Sequence, residues 1–307
     1  MTMRLPLKEC YERRIQYFID QFAIASESPS TEAIHDMRVG LKRLRTFFNL
    51  VGSIGPGFVA EEAFAPARKL FRAAGRLRNL HVLEAKAREA AVAASLELSE
   101  YYNWLKEADF REVRRFSRAC RRFSRGFFAS AWTTMEISFE DLAAAQVRNK
   151  VEARLFGLIR EIKEERSMRR DVRRLHFLRT RTKEARYTLE ILQECGLTGD
   201  DGARLDERLR DVHQSLGRWH DEEIVLGSLR EFRKSRAAGP LVSFKSYLGF
   251  SRLTKAHKAE NLASFEAGRA AFLAFLGRGY GRRVLRPHSP ARQEPDDNQD
   301  QGRKIAG

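Results

Sequence analysis

The apolar positions along the chain recur at the spacing of amphipathic helices, and the alternation typical of strands is almost absent. Long segments rich in Ala, Leu, Glu, Lys and Arg, which are strong helix formers, are separated by short Gly-, Pro- and Ser-containing clusters. The pattern therefore predicts an all-α fold. The helices are expected at about residues 7–26, 31–51, 58–95, 99–128, 140–166, 170–195, 201–236 and 241–277.

An internal repeat relates the two halves of the chain. The segment 35–45 (HDMRVGLKRLR) recurs at 176–186 (HFLRTRTKEAR), an offset of 141 residues. A second match, between 75–82 (GRLRNLHV) and 217–224 (GRWHDEEI), has an offset of 142 residues. Because two separate matches share nearly one offset, the sequence predicts two copies of a four-helix unit that are joined near residue 140.

The first repeated motif places one histidine and three cations on a single face of each helix. In the first copy, His35, Arg38, Lys42 and Arg45 fall within an arc of about 80°, opposite an apolar stripe. Arginine makes bidentate hydrogen bonds to phosphate and lysine supplies a compact charge, so such a row suits successive phosphates. A solvated face without a ligand is the alternative. The return of the same residue types at the same spacing favours a ligand, and the second set is His176, Arg179, Lys183 and Arg186.

The charge balance also predicts a polyanionic partner. Lys and Arg number 57 against 41 Asp and Glu, which gives a net charge of +16 and a pI near 10.1. Residues 111–125 are predicted to form one amphipathic helix, with Phe116, Phe123 and Phe127 inward and arginines outward. Further basic positions are expected to extend the positive field: Arg14, Arg114, Arg115, Arg118, Arg122, Arg125, Arg154 and Lys255.

Several classes of protein are disfavoured by what the sequence lacks. No stretch approaches about 18 uninterrupted apolar residues, so no transmembrane helix is expected, and the first residues do not resemble a signal peptide. The three widely spaced cysteines, Cys10, Cys120 and Cys195, are interpreted as buried thiols of a reducing cytoplasm rather than a disulfide frame or a zinc site. No metal or cofactor is expected.

The paired motifs His35-x-x-Arg38-x-x-x-Lys42-x-x-Arg45 and His176-x-x-Arg179-x-x-x-Lys183-x-x-Arg186 resemble those of the CHAD domain family. The resemblance covers about residues 5–285. It implies two tandem antiparallel four-helix bundles with pseudo-two-fold symmetry around a basic central channel. The ligand it implies is inorganic polyphosphate, bound by the eight motif residues, and it implies association with polyphosphate granules. The expected divisions are 1–140 for the first half, 141–286 for the second and 287–307 for a disordered tail.

The Gly75 and Gly217 segments resemble an element of the third helix of each family half. Asp221 fits an acidic position of that element, whereas Asn79 and His81 stand where acids are common. The chain is expected to lack the N-terminal triphosphatase domain that some members of the family contain.

Three other functions compete with polyphosphate binding. Nonspecific nucleic-acid binding is the strongest rival, and it is expected at low salt in any case, because a basic helical surface binds phosphate backbones through counterion release. A metal-dependent phosphohydrolase built on His213, His220 and Asp221 is less favoured, since a strongly cationic face repels divalent metals and these histidines are more typical of packed or capping positions. Attachment to a membrane surface has the least support. The sequence therefore predicts a binding module and not an enzyme.

Overall fold

The computed structural model describes residues 4–55, 57–124, 126–138, 144–165, 171–235 and 244–277. Within these ranges the chain forms helices and no strand, which confirms the all-α prediction. The helices are α1 (Arg4–Glu27), α2 (Thr31–Ile54), α3 (Ala60–Phe64), α4 (Arg68–Ala93), α5 (Ser99–Arg121), α6 (Phe127–Ser138), α7 (Ala144–Glu164), α8 (Val172–Glu194), α9 (Asp200–Ser235) and α10 (Phe244–Gly277). The predicted tail, 287–307, and the predicted boundary at 140–141 lie outside the described residues.

The two helices that contain the repeated motif begin at side-chain caps. The Ser30 hydroxyl accepts a hydrogen bond of 3.1 Å from the Ala33 N–H at the start of α2. The Asp171 carboxylate accepts from the Arg173 N–H, at 2.9 Å, at the start of α8. Each cap satisfies a donor that has no partner inside the helix, which fixes where the motif helix starts.

Two predicted helices are divided in the structure. The helix expected over 58–95 consists of α3, a 3₁₀ turn over Ala65–Ala67, and α4. Pro66 lies in that turn and has no N–H to continue an α-helical ladder. The helix expected over 99–128 ends at Arg121, where the Phe123 N–H donates to the Cys120 carbonyl at 3.1 Å.

The single amphipathic helix over 111–125 is therefore wrong. Phe116 lies on α5, Phe123 follows the end of that helix, and Phe127 begins α6. Helix α6 lies, apart from its first two residues, between the predicted helices 99–128 and 140–166. Its sequence, FFASAWTTMEIS, mixes apolar and β-branched residues around the whole circumference and shows no amphipathic stripe.

Helix α2 lies at the centre of the packing, where it contacts α1, α4, α7 and α8. The main hydrophobic core crosses the predicted division between halves, since Phe47 of α2 belongs to the same cluster as Leu155 of α7 and Leu189 of α8. A smaller cluster joins α4 and α5 to α9 and α10, with Leu83 and Val225 as members. The contacts of α2 with α8 and of α4 with α9 bring corresponding elements of the two repeats together.

The three cysteines are free thiols. Cys10 of α1 is fully buried, while Cys120 and Cys195 are half-buried. The Cys10 and Cys195 thiols are in hydrogen-bond contact where α1 meets the end of α8, and this contact lowers the pKa of Cys10 and raises that of Cys195. None of the described helices is both long and apolar enough to span a bilayer.

Candidate functional site

A polar cavity of about 540 Å³ lies where α2, α4, α8 and α9 meet. The two motif helices, α2 and α8, contribute part of its lining, and α4 and α9 contribute the rest. Six of the eight predicted motif residues line it: His35, Arg38, Lys42, Arg179, Lys183 and Arg186. The internal repeat therefore converges on a single site instead of forming two independent ones.

Arg38 is held in place by the first turns of α4. Its Nη1 donates to the Phe71 carbonyl at 2.8 Å, and its guanidinium carbon lies 4.7 Å from the centre of the Phe71 ring. Gly75 leaves the space that this position requires, because a Cβ there would lie 2.8 Å from Arg38 Nη1. The second-repeat glycine, Gly217, lines the cavity, and a Cβ there would meet nothing within 4 Å.

The last motif arginines have different surroundings in the two copies. Arg45 is exposed outside the cavity wall, with its guanidinium 5.6 Å from the Phe64 ring. Arg186 lines the cavity and forms ion pairs with Glu190, at 3.1 Å, and with Asp206, at 3.5 Å. A repeated spacing therefore does not produce identical roles at this position.

The two motif histidines also differ. His35 is exposed at the cavity wall. His176 lies outside the lining and packs its ring edge-on against Trp219, at 5.4 Å, and His220, at 4.8 Å. His176 is therefore positioned to support the wall through His220 and not to contact a ligand directly.

Four titratable lining residues that were not among the predicted phosphate ligands come from α4 and α9: Arg78, His213, His220 and Asp221. His213 and His220 were expected to be packed or capping residues, and the structure instead places both on the cavity wall. A signal was present in the sequence, because Arg78 and His220 occupy corresponding places in the second repeat match, three residues after Gly75 and Gly217.

Bringing these cations together changes their acid–base properties. Burial, together with Arg38, Lys183 and Arg179, lowers the pKa of Lys42 to about 7. Burial, together with Arg179 and Arg45, lowers the pKa of Lys183 to about 8. Burial and the neighbouring arginines also lower the pKa of Arg38 to about 10. Desolvation and mutual repulsion both penalise these charges, so the site favours a negatively charged ligand.

The histidines are kept neutral by the same field. Burial and the charges of Arg179 and other cavity cations lower the pKa of His213 to about 3 and that of His220 to about 4. The pKa of His35 is also lowered, first by burial and then by Arg78 and Lys42. A neutral imidazole presents one N–H donor and one acceptor, so these histidines supply hydrogen bonds instead of charge.

The cavity wall as described contains one carboxylate, Asp221. Burial raises its pKa, although Arg179 and Arg78 act in the opposite direction. Glu190, which is not part of the cavity lining, forms ion pairs with two other cations of the wall. These are Arg43, at 3.0 Å, and Arg186. Five cations form no ion pair within 4 Å in the described part of the chain: Arg38, Lys42, Arg78, Arg179 and Lys183.

Two of the further basic positions form ion pairs between helices. Arg14 is 4% exposed and donates to Glu194 of α8 at 2.7 Å, which ties α1 to α8. Arg154 of α7 forms an ion pair with the buried Glu184 of α8. Both lie outside the cavity lining, and we assign them structural roles, since a carboxylate of α8 already pairs with each cation.

The remaining basic positions lie on other surfaces. Lys255 is exposed on α10, and Arg114 is exposed on α5 with its guanidinium 5.7 Å from the Phe110 ring. Arg125 lies outside the described residues. The other three positions line a groove between α4 and α5: Arg115, Arg118 and Arg122.

The chemistry of the cavity suits an anion with several negative centres. Arginine forks and lysine ammonium groups face a shared space, and neutral histidines add hydrogen bonds. Within the described part of the chain, no group of three or more His, Cys, Asp or Glu side chains has an arrangement that holds a metal ion.

Comparisons with known proteins agree with the fold and with the motif. The family model described as the CHAD domain matches residues 13–230. The structure is similar to the crystal structure of the CHAD domain from the plant Ricinus communis, with a TM-score of 0.70 and 19% identity over 89% of this chain and 92% of that one. It is also similar to PptA from Streptomyces chartreusis, with a TM-score of 0.59 and 16% identity over 90% of this chain and 100% of that one. No curated protein matches the sequence.

Proposed function

The chain belongs to the CHAD domain family, and we propose that it binds inorganic polyphosphate in the cavity between α2, α4, α8 and α9. The observation that carries this proposal is the convergence, on one space of about 540 Å³, of five cations that form no ion pair within 4 Å among the described residues. Three of them are arginines, whose planar forks match phosphate oxygens, and two are lysines. The proposed role is binding and not catalysis.

The energetic argument for an anionic ligand comes from the lysines. The depressed pKa values of Lys42 and Lys183, about 7 and about 8, express first the cost of burying each charge and then the cost of holding like charges together. A polyanion offsets this cost, because each phosphate oxygen adds an attractive charge beside the cations that repel one another. The cavity is therefore preorganised for negative charge, and its strain is relieved on binding.

The two halves of the chain supply matching sets of side chains to the cavity. Arg38 and Lys42 of α2 correspond to Arg179 and Lys183 of α8, and all four line the same cavity. We infer that consecutive phosphates contact the two helices and that a pseudo-two-fold relation between the halves arranges these contacts. Association with polyphosphate granules in the cytoplasm is part of the same proposal.

Single-stranded nucleic acid fits the cavity less well. Recognition of unpaired bases relies on aromatic faces on which the bases stack. Of the aromatic residues that line the cavity, Tyr187 is 4% exposed and Phe71 is covered by the guanidinium of Arg38. An unbranched chain of phosphates needs no such platform, so the wall favours polyphosphate.

A competition experiment tests the choice between polyanions. Labelled long-chain polyphosphate is bound at physiological salt and then challenged with tRNA, duplex DNA and heparin at equal charge concentration. We expect polyphosphate to remain bound, with a modest dependence on salt. Equal displacement by all three competitors, with the steep salt dependence of counterion release, would show a generic basic surface and refute the proposal.

A pair of neutral substitutions tests the site itself. Lys42→Met with Lys183→Met removes two cavity charges and keeps the unbranched side chains, so we expect polyphosphate affinity to fall at least tenfold. The matched control is Lys106→Met with Lys245→Met, which removes two exposed lysines outside the cavity. An equal loss in both double variants would mean that overall charge, and not the cavity, determines binding.

A further inference from the structure

A second basic groove lies on the outer side of α4, away from the cavity. It has a volume of about 330 Å³ and is formed between α4 and α5. Its floor contains two small side chains, Ala73 and Ala119, which keep the space between the helices open. Six cations line its two sides: Lys69, Arg72 and Arg76 from α4, Arg115 and Arg118 from α5, and Arg122, which directly follows α5.

The six cations form two facing rows with one spacing. Each row has cations at positions i, i+3 and i+7, which is also the spacing of His35, Arg38 and Lys42 in the cavity. A short connection between α4 and α5 makes these helices antiparallel neighbours, and the Arg76–Glu112 ion pair, at 2.7 Å, sets their register. The rows run for about 10 Å, since each residue rises about 1.5 Å.

The arrangement is unfavourable unless an anion occupies it. Like charges three or four residues apart on a helix destabilise it by a few tenths of a kcal/mol per pair, and each row contains two such pairs. Glu112 is the acidic side chain that faces this region in the described part of the chain, where it pairs with Arg76 and Arg115 at one end of the groove. The other four cations form no ion pair within 4 Å there.

The groove and the cavity share α4. Phe71, Arg78 and Val82 face the cavity, whereas Arg72 and Arg76 face the groove. The two sites are therefore separated by the width of one helix, about 10 Å. A linear anion that extends beyond the cavity has to pass only this helix to reach the second set of arginines.

We infer that the α4–α5 groove is a second phosphate-binding site, which holds another stretch of the polyphosphate chain that occupies the cavity; this inference rests on the proposed function. Five of its six cations are arginines, whose forks bind phosphate oxygens in pairs. Because the two stretches belong to one chain, binding at the groove becomes intramolecular and strengthens the complex without changing the cavity.

Polyphosphates of different length distinguish the groove from the cavity in a binding experiment. Tripolyphosphate is too short to occupy the cavity and the groove together, whereas long-chain polyphosphate reaches both. We expect Arg72→Gln with Arg118→Gln to weaken binding of the long chain about tenfold and to leave tripolyphosphate affinity unchanged. The slope of log affinity against log salt for the long chain should fall by about 1.4, for two lost phosphate contacts.

The matched control is Arg88→Gln with Arg111→Gln, which removes two exposed charges from the same two helices outside the groove. Equal long-chain affinity in the groove and control variants would overturn the inference. So would an equal loss of both probes in the groove variant, or a loss confined to tRNA. Failure of the proposed function has a different signature, because Lys42→Met with Lys183→Met would then bind both polyphosphates as well as the wild-type protein does.

Discussion

Lys42 holds its charge at a cost to folding, and replacing it should therefore stabilise the protein while weakening its binding. Burial and the neighbouring cations lower its pKa from 10.5 to about 7. At about 1.36 kcal/mol per pKa unit, keeping this lysine charged below pH 7 costs about 5 kcal/mol. A lysine recovers part of that cost by turning its ammonium group toward solvent. We therefore expect Lys42→Met to raise the free energy of unfolding at pH 6 by about 2 to 5 kcal/mol, or the Tm by about 3 to 8 °C, where the upper figure corresponds to the full pKa shift.

The pH dependence identifies the cause of this gain. Because the pKa of Lys42 is lower in the folded than in the unfolded state, the unfolded chain binds the additional proton between about pH 7 and pH 10.5. The wild-type protein gains stability as the pH rises through this window. The advantage of the variant is therefore complete below pH 7, falls to roughly half by pH 9, and disappears above about pH 10.5.

Thermal unfolding followed by circular dichroism between pH 6 and pH 9 measures the difference. Lys106→Met, at an exposed position on α5, is the control and should show no pH-dependent gain. Saturating polyphosphate should reverse the order of the two proteins, because the ligand stabilises the wild-type cavity more strongly. A variant that is less stable than wild type at pH 6, or whose advantage does not change with pH, would refute the electrostatic argument.

Three further outcomes are expected. Gly75→Ala should displace Arg38, whose Nη1 lies 2.8 Å from the added Cβ position, and weaken polyphosphate binding several-fold in titrations, whereas Gly157→Ala, on α7 outside the cavity lining, adds a methyl group to open space and should bind normally. Arg14→Met should lower the free energy of unfolding by about 2 kcal/mol in urea denaturation, because it breaks a pair in which the arginine is 4% exposed, with polyphosphate affinity unchanged. Polyphosphate binding near pH 7.5 should take up protons, because the cavity lysines have pKa values of about 7 and about 8 and a bound anion raises both. Calorimetry in buffers of different ionisation enthalpy measures this proton uptake. Its absence would contradict the low pKa values of the two lysines.

Helix positions could be predicted wherever the signal is local. The start of α2 follows from Ser30, whose side chain caps the next turn, and the basic face of the helix follows from residue spacing alone. The break at Pro66 and the end of α5 at Arg121 were missed, although the proline itself was visible in the sequence. Helix α6 was missed because its apolar residues form no stripe, so that only its packing against the core stabilises it as a helix.

The sequence by itself determined which side chains share a helix face, because a rise and a rotation per residue are properties of the backbone. It therefore predicted the cationic rows on α2 and α8 and their repetition. Only the tertiary structure decided which helix stands opposite each row. The approach of α2 to α8 and of α4 to α9 created one cavity and added Arg78, His213 and His220 to its wall. It also separated binding cations from structural ones, since Arg14 meets Glu194, which is 180 residues away in the chain. Residue spacing describes one helix at a time, whereas ion pairing and pKa values depend on neighbours that only packing brings together.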